Sequence, residues 1–134
     1  LSMNAMFGRF TTASSDPTIR GQNALLTQFR QFMKQSAVRD AANTWVTLDE
    51  HPDSINDGYF INNPGANNWG DIPASYHNGA GGFSFADGHS EVHKWRSSRT
   101  ILPVKFSYNS PAFDKIARDV DFKWWVEKTQ MLTR

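Results

Sequence analysis

Gly82-Phe83-Ser84-Phe85-Ala86-Asp87-Gly88-His89-Ser90-Glu91-Val92-His93-Lys94-Trp95 is the stretch that decides the fold. Two alternating runs flank Asp87-Gly88, and Asp-Gly is the dipeptide that accepts the positive φ of a tight hairpin turn. The pattern predicts an antiparallel β-hairpin. A two-residue turn puts Phe83 and Phe85 on one face, joined by Val92, with Trp95 near the strand end. His89, Glu91 and His93 then share the other face.

Working outward, Thr44-Trp45-Val46-Thr47-Leu48 is β-branched and aromatic and predicts a buried strand. It stops at Asp49-Glu50-His51-Pro52-Asp53, because Pro52 cannot donate to a ladder. Gly58-Tyr59-Phe60-Ile61 predicts a second short strand. Residues 62–75 hold Asn62, Asn63, Pro64, Gly65, Asn67, Asn68, Gly70 and Pro73, a long loop expected to pack under Trp69. Upstream, Leu1–Ser15 is mixed and carries Met3, Met6, Phe7 and Phe10. Asp16-Pro17 reads as an N-cap and first-turn proline, and Leu25, Leu26, Phe29, Phe32 and Met33 fall at helical spacing. Downstream of a basic stretch, Lys94–Arg99, the residues Asp119–Met131 predict a helix. Its stripe is Val120, Trp124, Lys128 and Met131, widened by Phe122, Trp125 and Val126. The expected architecture is a single α+β domain over residues 1–134, an antiparallel sheet with short helices.

Composition narrows the function classes. Fourteen basic residues against thirteen acidic ones give a net charge of +1, which argues against a general nucleic-acid or anionic-lipid surface. Mean hydropathy is −0.56, and no apolar run approaches the roughly 18 residues of a membrane helix. Cysteine is absent, so disulfides and thiolate chemistry are excluded while the compartment stays open. The chain starts at Leu1 rather than Met, and is expected to be a fragment or a processed product.

Several groups are candidates for chemistry. Asp49, Asp53, Asn56 and Asp57 form the densest run of oxygen ligands and suit calcium, or else a turn whose side chains bond their own backbone. Asp49, His51, His77 and Asp87 are the set a metal-dependent hydrolase would need, provided they converge on one ion. His89 and His93 lie on a strand, roughly 13 Å apart, too far to chelate as a pair. Asp49 and Glu50 are adjacent, so they face opposite ways and do not make a glycosidase carboxylate pair. Gly79, Gly81 and Gly82 form a Gly-rich loop before a strand, without the helix N-terminus of a phosphate site. No Gly-x-Ser-x-Gly elbow is present. Trp69, Tyr76 and Trp95 are the aromatics that would serve a carbohydrate-binding or adhesin head. Trp124-Trp125 fits core spacing better than a stacking platform, and Arg96–Arg99 reads as a solvated edge.

His77 precedes Asp87-Gly88 by nine intervening residues. This span resembles the H-x9-D-G signature of prepilin-type, type II secretion pseudopilin-like proteins of bacteria. Asp49–Gly58 resembles the segment before that signature, and Ser2-Met3-Asn4 resembles the start of the region after the long N-terminal helix. The resemblance runs from near Leu1 to at least Trp95. It implies a globular head whose missing N-terminal helix carries the processing site, anchors in the inner membrane and polymerises with other pseudopilin subunits. It implies a periplasmic or cell-surface location, a structural rather than enzymatic role, no nucleic-acid partner, and in some members a bound calcium.

Overall fold

The Asp87-Gly88 hairpin forms, with one residue more in its loop than a two-residue turn. The computed structural model describes residues 1–9, 15–66, 69–107 and 119–130. Among these residues five strands make one sheet: β1 (Ser2–Asn4), β2 (Trp45–Leu48), β3 (Tyr59–Phe60), β4 (Ala80–Phe85) and β5 (Ser90–Lys94). Their order is β3-β1-β2-β4-β5, and every pair is antiparallel except β1 with β3. Among the described residues one helix, α1 (Val120–Thr129), covers a face, and short 3-10 turns accompany it in an α+β architecture.

In the hairpin the Phe85 N–H donates to His89 O at 2.9 Å, and the Gly88 N–H donates to Phe85 O at 3.0 Å. The loop is therefore Ala86-Asp87-Gly88, with Gly88 at φ 96°. Three-residue hairpin loops of this kind place their left-handed glycine last. The pairing becomes Phe83 with Glu91 and Gly82 with Val92. Shifting register by one residue turns every side chain of the second strand over. His89, Glu91 and His93 consequently share the face of Phe83 and Phe85. Val92 points away from it and is 65% exposed. Both results reverse the expectation from the two-residue turn.

That face is the core. Trp45, Leu48, Phe60, Trp69, Phe83, Phe85, Trp95, Phe122 and Trp125 form one buried cluster. Trp69 comes from the 62–75 loop, as expected, and meets Phe122 at 4.9 Å and Trp125 at 5.9 Å. Among the described residues, the indole nitrogens of Trp69 and Trp125 have no hydrogen-bond partner, so these rings contribute packing alone. α1 is capped by Asp119, whose carboxylate accepts from Asp121 N and Phe122 N. Its buried stripe is Asp121, Phe122, Trp125 and Thr129. Val120 is 46% exposed and Trp124 only half-buried, so the inward face is rotated from the expected 120/124/128 stripe. The cause is polar. Asp121 is drawn inward to accept the N–H groups of Arg96 and Ser97, and Thr129 takes the indole N–H of Trp45 at 2.9 Å. Met131, expected to extend the stripe, lies outside the described residues, as does Phe10.

Two further readings change. Leu25–Met33 is not a helix. Pro17–Arg20 makes a single 3-10 turn capped by Asp16 and closed by Gly21 at φ 72°. The Asn23 side chain then accepts from Leu25 N and Leu26 N and donates to Ala5 O, diverting the backbone from helical bonding. The segment folds back on Met6–Gly8 and builds a second cluster from Met6, Phe32 and Val38. Gly81 and Gly82 lie inside β4 rather than in a loop before it.

Truncating the ring at the junction of sheet, loop and helix should be severe. Trp125→Ala is expected to lower the urea-unfolding free energy by about 3–5 kcal/mol. Val92→Ser on the outward face should change it by less than about 0.5 kcal/mol.

Candidate functional site

β2 delivers Asp49, Glu50 and His51 into a polar corner on and beside the sheet. The chain from Ile72 to Ala74 pairs with this segment: His51 N–H donates to Ile72 O at 2.8 Å and Ala74 N–H to Asp49 O at 2.7 Å. Asp49 lies over β4. Its Oδ2 accepts from Gly82 N at 3.2 Å and lies 3.3 Å from His77 Nε2. A Cβ on Gly82 would come within 2.7 Å of that oxygen, and one on Gly81 within 2.8 Å of Ala74 O. The two glycines are thus what lets β4 approach the corner so closely.

Glu50 points the other way and is buried. It accepts from the hydroxyl of Ser2, which ties it to β1, and from Ser54 Oγ at 2.9 Å. Burial, reinforced by the nearby Asp71 and Asp57, pushes its carboxyl up to about 7. Asp71, which accepts from Ile61 N at 2.7 Å, is pushed up to about 6 for the same reason. His51 is equally enclosed. Its Nδ1 accepts from Asp53 N at 3.2 Å, so in the neutral ring Nε2 carries the proton and donates to Leu102 O at 3.2 Å. Asp53 accepts from Lys105 N at 2.8 Å and Ser107 N at 3.0 Å, and the Lys105 bond chiefly holds its carboxyl below the usual value. Asp57 accepts from Tyr59 N at 2.7 Å, an Asx turn, and Asn56 is exposed. The Asp49–Asp57 run is therefore a polar clamp on the segments that surround it. Among the described residues, no three His, Asp or Glu side chains converge on a metal position.

The four-residue hydrolase set is not assembled either. Asp49 and His77 meet, but His51 is committed to Leu102 and Asp53. Asp87 is at the hairpin loop, five residues beyond Gly82 and roughly 16 Å along the strand. There Asp87 Oδ1 accepts from His89 N at 3.1 Å and contacts His89 Nδ1 at 2.6 Å, a bond that lowers its carboxyl and fixes the loop. Two of the three candidate sugar-binding aromatics offer no free ring face. Trp69 is 1% and Trp95 3% exposed, and the Trp95 indole donates to Ala74 O. Tyr76 is half exposed, with its hydroxyl donating to Glu50 O at 2.7 Å.

The sequence reading missed the stack of His93 on Trp124, with centroids 3.5 Å apart and planes at 12°. These two residues, with Arg96, Val120, Asp121, Lys123 and Glu127, line a groove of about 320 Å³. Burial lowers the His93 imidazole below its ordinary value. No spacing rule pairs residue 93 with 124; only the flipped hairpin register brings them together.

Compared with family models, curated proteins and solved structures, the chain matches none.

Two outcomes follow from the corner. The folded state holds protons on Glu50 and Asp71 that the unfolded chain releases near pH 4–4.5. Stability therefore falls as pH rises from about 4.5 through 7. Glu50→Gln should flatten the decline of the melting midpoint over that window. Because the Asp49, Asp53 and Asp57 carboxylates are engaged by protein donors, millimolar calcium and chelator should give the same melting midpoint. A calcium-dependent rise would show that the clamp rearranges into a coordination shell.

Proposed function

We propose that this chain is the globular head of a pseudopilin-like structural subunit, acting through protein–protein contacts in an envelope-spanning export or filament assembly. The observation that carries this reading is how the signature residues are used. His77 braces Asp49, which in turn anchors Gly82; Asp87 and Gly88 shape the hairpin loop. His77 is spent on the polar corner beside β4 and Asp87 with Gly88 on the far end of the hairpin, both as structural bracing. The partners are other subunits of the same class, and the setting is periplasmic or cell-surface.

The test is the genomic reading frame immediately upstream of the Leu1 codon. A Gly-Phe-x-x-x-Glu processing site leading into about 20 apolar residues is expected. A stop codon, or a polar domain joined to Leu1 without an apolar segment, would overturn the proposal.

A further inference from the structure

Charge along the chain is segregated in a way the near-neutral total conceals. Residues 17–39 carry Arg20, Arg30, Lys34 and Arg39 and no carboxylate, while the remaining residues sum to −3. The fold-back of this segment gathers three of those cations. Arg20, Arg30 and Arg39 line a cavity of about 470 Å³ together with Gly21, Gln31, Phe32 and Ala37.

The rim is rigidly built. Gln31 N–H donates to Gly21 O at 2.9 Å, and the Gln22–Arg30 bridge sets Arg20 and Arg30 on adjoining backbone. Gln31 is buried. Its amide nitrogen donates to Ala5 O and Gly8 O, and its oxygen accepts from Asn23 at 2.7 Å. Val38 packs into the second hydrophobic cluster and places Arg39 at the third corner. The bracketing carboxylates are engaged elsewhere. Asp16 accepts from the N–H and hydroxyl of Thr18, and both Asp40 oxygens accept from Asn43. Among the described residues, no carboxylate pairs with Arg20, Arg30 or Arg39.

Three arginines lining one concavity repel one another unless an anion joins them, and a guanidinium offers a planar fork suited to tetrahedral oxyanions. We propose that the cavity between Arg20, Arg30 and Arg39 binds the phosphate or sulfate group of a small ester. The guanidinium groups take the oxyanion, and Phe32 and Ala37 form the apolar floor beneath the ester's carbon portion. This site is separate from the polar corner and does not depend on the proposed structural role.

Isothermal titration of the 134-residue chain with phenyl phosphate and with phenyl sulfate, at matched ionic strength, tests it. Saturable binding of at least one probe is expected, and which probe binds identifies the ester. Arg20→Gln, Arg30→Gln and Arg39→Gln should each weaken binding by about tenfold, the scale of one charge-assisted hydrogen bond. Lys94→Gln, on the edge strand, should leave it unchanged. All three arginines are exposed, so melting midpoints should hold. If a glutamine variant melts early, the lysine variant at that position keeps the charge, loses the fork and should bind at intermediate strength. No saturable heat with either probe, or equal weakening by Lys94→Gln, would overturn the proposal.

Discussion

The mutual packing of Trp45, Trp69 and Trp125 is the constraint on which the rest of this structure depends. Trp125 meets Trp45 at 6.4 Å, Phe60 at 5.9 Å and Trp69 at 5.9 Å. One ring from a strand, one from a long irregular loop and one from α1 thus share a centre. Edge-to-face and tilted aromatic contacts of this kind are favourable beyond the area they bury. They hold a small sheet of short strands against segments with little hydrogen-bonded regularity of their own. Once the loop after β3 is pinned by Trp69, the Ile72–Ala74 stretch lies beside β2, and the polar corner of Asp49, Glu50 and His51 takes its shape.

That dependence explains which features were legible in the sequence. The hairpin, the Trp45–Leu48 strand, the Tyr59–Phe60 strand and the C-terminal helix were all visible, because each is announced by local chemistry: a turn dipeptide, a β-branched run, an N-cap. The faces were not. Asp87-Gly88 suits a two-residue turn and equally the last two positions of a three-residue loop. That single residue decides whether His93 meets solvent or Trp124. In α1 the apolar count favoured one stripe, and two buried polar side chains, Asp121 and Thr129, selected another. Leu25–Met33 showed helical spacing, yet the Asn23 side chain gave the backbone other partners.

The polar candidates divide along the same line. Asp49 with His77 emerged as a real contact, and Asp57 as the self-bonded turn that its neighbours suggested. The link from Asp53 to Lys105 and Ser107 spans more than fifty residues and has no signature in spacing. The arginine-lined cavity was hidden for a different reason: a whole-chain charge balance averages away a local excess.

β1, residues 2–4, lies inside the sheet between β3 and β2, with Met3 beside both Thr47 and Tyr59. Its partners lie more than forty positions later, so β1 cannot pair until both β2 and β3 have been made. Such distant pairings raise the contact order and slow the search for the native state. Loss of this three-residue strand would remove the seam that joins β3 to the other strands.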